Sequence, residues 1–408
     1  MHTVQLLLPF HIRQSFLLFL SSLITFLSNA QSNDLCQGNY YTEKEAAIKL
    51  DTLLKQFHNL GDWQDYASGI RKQIRKGMEL QEYPRKTPLN EHSRNKKLLD
   101  GYSVESVEFE SLPGFYVTGN LYRPLGRFEK HSLAVILCPH GHWDKPEDYG
   151  RFRKDMQLRC ASFARMGAIV FAYDMVGYGE SVQVTHTYEK ALLLQTWNSI
   201  RAVDFLLTFS ESDPYRVAIT GASGGGTQTI MLTALDDRVS VSIPVVMVSA
   251  HFFGGCNCES GMPIHKDGEK VYTNAEIACL AAPRPMLMVS DGEDWTKNSE
   301  KVEYPFAKGI YALYHEDSLV QLVHLEKEGH DYGKNKRFAA YNFLNAHLGM
   351  HIENIKDPNG RVTEDFVTIL NRNDLIYFKE GEMASGIHND HFYKLLLSLE
   401  PKTGKSKK

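Results

Sequence analysis

The hydrophobic positions of this chain repeat first with a helical period and then with the period of a strand. Between residues 41 and 80, apolar side chains recur every three or four positions, which predicts amphipathic helices. Residues 102–111 and 115–124 alternate apolar and polar side chains on either side of the turn "LPG", which predicts an antiparallel hairpin. We therefore expect a helical segment over residues 31–100, followed by the start of a sheet.

Beyond residue 132 the pattern changes to continuous apolar runs, such as "LAVILC", "AIVFAY" and "PMLMVS", separated by amphipathic segments. Continuous runs are typical of strands that are buried on both faces, and their alternation with helices indicates a mostly parallel sheet covered on both sides. The predicted fold class is α/β, with the main domain over residues 101–350. Residues 351–408 are less regular and are predicted to form a C-terminal appendage.

The first thirty residues have the pattern of a signal peptide. Arg13 precedes the apolar run "SFLLFLSSLITFL", which is short for a membrane span, and "SNA" places small residues before Gln31. This arrangement predicts export to the periplasm or the medium, with a mature chain that begins near Gln31 and has no later membrane span. A buried first helix is the alternative.

The charge and the cysteines narrow the possible classes of function. The 408 residues are 43% hydrophobic and carry a net charge of −4, so a large core is expected and a nucleic-acid partner is not. Cys138 and Cys160 lie in apolar runs and are expected to be buried free thiols. Cys36, Cys256 and Cys258 are left open between disulfides and free thiols. A metal site from Cys256, Cys258 and a histidine is the alternative, but a single C-x-C without a second cysteine pair is a weak metal signal, so we expect neither a metal nor a cofactor.

Candidate chemistry centres on Ser223, which lies in "TGASGGG" between a predicted strand and a predicted helix. Gly221, Ser223 and Gly225 fit the G-x-S-x-G pattern, and the strand–turn–helix context is the one that a nucleophile elbow requires. Such a turn lifts the serine hydroxyl above the sheet and aims helix N-terminal amides at an anion. An incidental serine in a glycine-rich turn is the alternative.

A serine nucleophile needs a base and an acid that orients the base, and in this context they follow in the order acid, then histidine. His330 lies between the last predicted strand and helix, beside a glycine, and is the predicted base. Asp294 follows the strand "PMLMVS" at the expected position of the acid, with Asp291 and Glu293 as near alternatives. Glu259, after the preceding strand, is an alternative acid or substrate contact.

An oxyanion hole needs two backbone amides aimed at the developing charge. The amide of Gly224 is expected to supply one, and the loop "PHGHW" is expected to supply the other, from His142. His140 and His142 resemble a metal-binding pair, but no third ligand is spaced to complete it. Asp174, in "YDMVGYGES", is expected to order its loop by hydrogen bonds.

The motifs "PHGHW", "YDMVGYGES", "TGASGGG", "LMVSDGEDWT" and "EGHDYGK" occur in that order and resemble the α/β-hydrolase superfamily over residues 100–350. Within it they resemble exported esterases grouped with acetyl xylan esterases and dienelactone-hydrolase-like proteins. The resemblance implies hydrolysis of carboxylic esters, chiefly acetyl groups on plant polysaccharides. Ser223 would attack the carbonyl, His330 would move the proton and Asp294 would hold the imidazole.

Several alternatives remain open within this resemblance. A pectin methylesterase or a glucuronoyl-type esterase is possible, although glucuronoyl esterases typically carry an arginine after the nucleophile, where this chain has Gly224. A prolyl-oligopeptidase-like peptidase and an inactive carbohydrate-binding homologue are further alternatives. The resemblance implies a small-molecule or glycan ester as the partner.

Two kinds of side chain are candidate contacts for a sugar. Trp143 and Trp295 follow the oxyanion loop and the candidate acid, and their indole faces suit the binding of sugar rings. Three arginines near the oxyanion loop suit an acidic sugar, with solvated helix positions as the alternative: Arg151, Arg153 and Arg159.

Overall fold

The computed structural model describes residues 35–81, 83–142, 150–379 and 382. The predicted signal peptide, Trp143 and the basic C-terminal tail lie outside these residues. Within them the α-helices are α1 (Glu43–Leu54), α2 (Leu60–Gly77), α3 (Lys154–Arg165), α4 (Ala191–Leu206), α5 (Gly224–Leu235), α6 (Asn257–Ser260), α7 (Asn274–Ala278), α8 (Glu303–Leu313), α9 (Lys334–Leu348) and α10 (Arg372–Leu375). No helix among them is long and apolar enough to cross a membrane.

The strands are β1 (His92–Leu98), β2 (Tyr102–Leu112), β3 (Phe115–Pro124), β4 (Leu133–Cys138), β5 (Ala168–Tyr173), β6 (Ser212–Ala222), β7 (Val241–Val245), β8 (Lys266–Asp267), β9 (Lys270–Val271), β10 (Met286–Asp291) and β11 (Val320–Leu325). All except the short β8–β9 hairpin form one sheet in the order β1-β2-β3-β5-β4-β6-β7-β10-β11. Neighbours from β5 to β11 are parallel, whereas β1, β2 and β3 add an antiparallel edge.

Helices cover both faces of this sheet, as the sequence predicts. Val135 and Leu137 of β4 pack on the side of α1, α2, α4, α5 and α8, whereas Ala134 and Ile136 pack on the side of α3 and α9. Side chains alternate between the faces of a strand, so an uninterrupted apolar run serves two cores at once. The mostly parallel α/β architecture is confirmed.

The N-terminal segment is helical only in its first half. Capping boxes at Thr42 and Asn59 start α1 and α2, because each side chain accepts a bond from an otherwise unpaired amide. The segment then forms β1, so the sheet begins before the expected residue 101. Strand β1 is almost wholly exposed, and without a buried face it has no apolar alternation to predict it.

The C-terminal segment packs against the sheet, and one of its contacts is a buried carbonyl group. The carbonyl oxygen of Leu375 accepts hydrogen bonds from Ser106 Oγ and Asn120 Nδ2, each at 2.8 Å, and from Arg151 Nη1. Residues 351–379 are irregular, as predicted, and they complete the covering of β2 and β3.

Candidate active site

Ser223 occupies the corner between β6 and α5 with a backbone φ of 56° and ψ of −122°. A non-glycine residue in this region of φ/ψ space costs on the order of 1–3 kcal/mol. The close packing below the corner explains two of the glycines: a Cβ on Gly221 would lie 2.6 Å from the carbonyl oxygen of Pro139, and one on Gly225 would lie 2.5 Å from it. The structure therefore has the strained strand–turn–helix geometry that the sequence predicts.

Asp294 and His330 are in direct contact, as their predicted roles require. His330 Nδ1 lies 2.6 Å from Asp294 Oδ2, and Asp294 Oδ1 accepts 2.6 Å bonds from the backbone amide and the hydroxyl of Thr296. A carboxylate oxygen accepts hydrogen bonds, so His330 Nδ1 is the donor and its Nε2 keeps a lone pair. This tautomer is the one that a general base needs.

The strand order brings these loops to the same edge of the sheet as Ser223. Strands β6, β7, β10 and β11 are parallel neighbours. Ser223 directly follows β6, Asp294 follows β10, and His330 follows β11. The carboxyl ends of parallel strands meet at one edge, where ligands of open α/β sheets bind.

The two near alternatives to Asp294 have other surroundings. Asp291 Oδ2 is 2.9 Å from Lys336 Nζ, and both side chains are fully buried. Burial raises the pKa of Asp291, while hydrogen bonding from Lys336 opposes this rise. Glu293 is exposed. The structure thus pairs Asp291 with a lysine and Asp294 with His330.

Glu259 contacts a different histidine. Its side chain is 5% exposed, with Oε1 3.8 Å from His142 Nδ1, and Oε2 accepts a 2.7 Å bond from the Gly255 amide. Burial raises the pKa of Glu259. The carboxylate therefore lies beside the candidate oxyanion loop rather than beside His330.

The candidate oxyanion loop packs directly against the serine corner. A Cβ on Gly141 would lie 3.1 Å from Ser223 Cβ, and a Cβ on Gly224 would lie 2.8 Å from His142 Cε1. The His142 loop and the N-terminus of α5 are thus close neighbours around Ser223. This closeness is compatible with amides from both segments sharing one anion.

His140 and Asp174 hold this loop in place. Buried His140 accepts a 2.9 Å bond from the Met175 amide at Nε2, and its Nδ1 donates to the Gly141 carbonyl at 2.7 Å. Burial lowers the pKa of His140 to about 4, so it is a neutral packing residue. Asp174 Oδ2 accepts bonds from Thr118 Oγ1 and from the Glu180 amide, in agreement with the predicted ordering role.

Arg151 and Arg159 are buried and are not the solvated helix residues that one alternative describes, whereas Arg153 is 26% exposed and pairs with Asp155 at 2.8 Å. Arg151 is fully buried and ion-paired with Asp174 at 3.0 Å and with Glu180, so it is part of the fold. Arg159 is 2% exposed, stacks 4.1 Å over the Tyr332 ring, and has no hydrogen-bond partner at Nε. Arg153 and Arg159 line a small cavity together with Gly141, Ala222 and other residues.

An open cleft of about 920 Å³ lies on the acid side of the site. Trp295 lines it, stacked on Phe252 with ring centroids 4.1 Å apart and lying 4.5 Å from the His330 ring. Tyr40 and Tyr41 of the N-terminal segment also line it. The cleft thus offers aromatic faces next to the Asp294–His330 pair.

A second cluster, for which the sequence offered only the weak C-x-C signal, lies beside the serine corner. It comprises His142, His186, Cys256 and Cys258, whose ligand atoms all lie within 4.8 Å of one another. His142 lacks a third ligand among its neighbours in sequence, but the fold supplies three from distant loops. Only the positions of the four residues in the sequence could have indicated the cluster. They lie in the segments that follow β4, β5 and β7, and the carboxyl ends of these strands share one edge of the sheet.

None of the six cysteines, all of which lie in the described residues, forms a disulfide. Cys138 and Cys160 are buried, as predicted. Of the three left open, Cys36 is also buried, and Cys256 and Cys258 lie side by side in the cluster with His142 and His186.

A scan against protein-family models finds no match, and a search of curated proteins finds none either. Among solved structures, one named methylesterase BT1017 shares 35% sequence identity, with 88% of this chain and 79% of that chain covered and a TM-score of 0.78. This chain belongs to the same esterase family. It is therefore an α/β-hydrolase-type carboxylic ester hydrolase, as the motifs imply.

More distant structures share the fold of this esterase. A glucuronoyl esterase from Teredinibacter turnerae has a TM-score of 0.53 at 14% identity, covering 71% of this chain and 85% of its own. A candidate acetyl xylan esterase from Bacteroides fragilis has a TM-score of 0.50 at 16% identity, covering 76% and 88%. At such identities the similarity concerns the fold.

Proposed function

We propose that this esterase hydrolyses methyl esters of acidic carbohydrates through a serine acyl-enzyme mechanism. The observation that carries the mechanism is the 2.6 Å contact between His330 Nδ1 and Asp294 Oδ2, at the sheet edge where Ser223 occupies its strained corner. A base held in the required tautomer and a raised nucleophile are what acyl transfer needs.

In the proposed reaction, Ser223 Oγ attacks the ester carbonyl while His330 Nε2 takes its proton. The amides of Gly224 and His142 stabilise the oxyanion of the tetrahedral intermediate. The intermediate collapses as the His330 imidazolium protonates the departing methoxide, so methanol leaves and the sugar stays on Ser223 as an acyl group. Water, deprotonated by His330, then releases the sugar carboxylate. Asp294 keeps the imidazole oriented and stabilises its charged form.

Two observations support a methyl ester. The methylesterase relative is 35% identical over most of both chains. In addition, Arg153 and Arg159 line a cavity beside Ala222, the residue that precedes the nucleophile. In a methyl ester of an acidic sugar, the sugar is the acyl part, so a neighbouring carboxylate of the glycan would meet Arg153, whose side chain is 26% exposed, while buried Arg159 adds positive potential. Trp295, at the rim of the cleft, would stack on a sugar ring.

Acetyl ester hydrolysis is the second candidate. The motif order from "PHGHW" to "EGHDYGK", which resembles exported acetyl xylan esterases, favours it. The same triad would serve, but acetate would be the acyl part and the glycan would be the leaving alcohol. We also propose that residues 1–30 direct export to the periplasm or the medium, where polysaccharides are met.

The deciding experiment measures methanol and acetate released from methyl-esterified pectin and from acetylated xylan. We expect methanol release that Ser223→Ala abolishes, with a fall in turnover on the order of 10⁶-fold and an unchanged circular dichroism spectrum. Acetate release without methanol would select the second candidate. Labelling of the wild type, but not of Ser223→Ala, by a fluorophosphonate tests the nucleophile independently of the substrate. Full turnover in the alanine variant would disprove the mechanism.

A further inference from the structure

We propose that His142, His186, Cys256 and Cys258 form a structural zinc site beside the active site. Their ligand atoms are crowded: His142 Nε2 lies 2.9 Å from His186 Nε2 and 3.1 Å from each cysteine Sγ, and the two Sγ atoms are 2.9 Å apart. Two cysteines and two histidines are a ligand set typical of structural Zn²⁺.

The distances suit a tetrahedral ion after small shifts. Zn–N bonds of about 2.0 Å and Zn–S bonds of about 2.3 Å place tetrahedral ligand atoms roughly 3.3 to 3.8 Å apart. The observed contacts are shorter than this by less than 1 Å, and every ligand atom lies within 4.8 Å of the others. Rotations of the four side chains are therefore sufficient to accommodate the ion.

The other nitrogen of each histidine faces an oxygen atom, at hydrogen-bond distance in His186 and at a longer distance in His142. His186 Nδ1 lies 2.7 Å from the carbonyl oxygen of Val176. A carbonyl only accepts hydrogen bonds, so Nδ1 carries the hydrogen and Nε2 directs a lone pair into the cluster. His142 Nδ1 faces Glu259 Oε1 at 3.8 Å. Carbonyl and carboxylate partners of this kind fix the tautomer and orientation of metal-binding histidines.

This arrangement suits a cation at its centre. Without an ion, one of the two Nε2 atoms, which lie 2.9 Å apart, must carry a hydrogen to bond the other, whereas a bound ion accepts a lone pair from both. The two thiols would bind zinc as thiolates and release their protons to solvent. Softness of the sulfur ligands favours Zn²⁺ over Mg²⁺ or Ca²⁺. With four protein ligands the site is closed, so its role is structural rather than catalytic.

The ion would join three loops around the nucleophile. His142 belongs to the loop after β4, His186 to the loop after β5, and the two cysteines to the long loop after β7. The His142 ring already lies against Gly224. A zinc ion would therefore hold the His142 loop against the serine corner.

The test is the metal content of the purified full-length protein, measured by plasma mass spectrometry. We expect one Zn²⁺ per chain in the wild type and in Cys279→Ala, which removes a buried thiol outside the cluster. Cys256→Ala and Cys258→Ala should each retain less than a tenth as much zinc. The proposal would be overturned if the wild type, after chelation and dialysis, failed to bind one Zn²⁺ per chain. It would also be overturned if the purified wild type carried a different metal.

Two measurements on the wild type cover the possibility that the cysteine variants fail to fold. After chelation, iodoacetamide should label Cys256, which is partly exposed in the structure whereas Cys258 is buried, and equimolar Zn²⁺ should protect Cys256 and restore the melting temperature. Co²⁺ bound in place of zinc should give the visible absorption of a tetrahedral thiolate site. A Cys256–Cys258 disulfide, lighter by two hydrogens, would contradict the zinc site. None of these readouts depends on turnover, so they stand apart from the test of the proposed reaction.

Discussion

Ser223 has a different kind of neighbour on each side. On one side, Asp294 and His330 lie in loops that leave the adjacent strands β10 and β11, and they meet through one hydrogen bond of 2.6 Å. On the other side, four ligating groups meet from three separate loops. The first pair follows from short local patterns at strand ends, whereas the second depends on how long loops fold over the sheet. Sequence patterns can thus predict one group of residues in a site and not the other.

Asp294→Asn should give the largest effect on the triad side. The amide cannot hold the imidazole in the required tautomer, so kcat should fall by about 10⁴-fold, while the free energy of unfolding changes little. Steady-state kinetics of methanol or acetate release and urea denaturation measure the two effects. A fall in kcat of less than tenfold would mean that another residue orients His330.

Asp291→Asn is the matched control three residues away, and its effect should be on stability. Removing the carboxylate leaves the buried Lys336 ammonium without its 2.9 Å partner. Breaking a buried pair typically costs about 3–5 kcal/mol. We expect a loss near the lower end, since Lys336 keeps Asp331 at 2.9 Å. If kcat of the folded protein fell as far as it does in Asp294→Asn, Asp291 would be the acid.

Glu259→Gln tests the opposite side of Ser223. Losing the carboxylate that faces His142 should weaken zinc binding by about 10–100-fold, as measured by competition with a chromogenic chelator. Because Glu259 does not contact His330, kcat should fall much less than in Asp294→Asn. A larger loss of kcat than in Asp294→Asn would transfer the role of triad acid to Glu259.

Glu303→Gln should give the smallest effect, and one that depends on pH. Glu303 lies at the start of α8 and accepts a 2.9 Å bond from the amide of Ala250. Ala250 belongs to the long segment after β7 that also carries Cys256 and Cys258. Burial raises the pKa of Glu303 to about 7. The folded state therefore holds this proton more tightly than the unfolded state does. The resulting stability is present below the ordinary carboxyl pKa and is lost as pH rises through about 7.

Glutamine cannot ionise, so the variant should lose less stability between pH 5 and pH 8 than the wild type does. The difference should be on the order of 2 kcal/mol, measured by urea denaturation at the two pH values. Parallel pH dependence in the two proteins would show that Glu303 does not titrate in this range. Activity at pH 7 should be nearly unchanged.

The comparison also explains which parts of the molecule could be predicted from the sequence. Buried strands leave continuous apolar runs, so the parallel sheet and the residues at its strand ends were accessible, including Ser223, Asp294 and His330. Strand β1 buries almost nothing and left no pattern. No sequence pattern marked His186 either, because a single histidine in a loop becomes a candidate metal ligand only when Cys256 and Cys258 fold against it.

The burial of two arginines could not be predicted for a related reason. Proximity in sequence placed Arg159 near the oxyanion loop but did not reveal its burial, because a buried arginine needs partners that are distant in sequence. Arg151 finds them in Asp174 and Glu180 and in the carbonyl of Leu375.

That carbonyl has a consequence for how the protein is made. Strands β2 and β3 leave the ribosome early, yet Ser106 and Asn120 find their shared acceptor only at Leu375, more than 250 positions later. Buried donors without acceptors are costly, so the growing chain cannot settle this edge during synthesis. The segment after α9 therefore completes this edge of the sheet, and a chain that stops after α9 should be cleaved faster by proteases than the full chain.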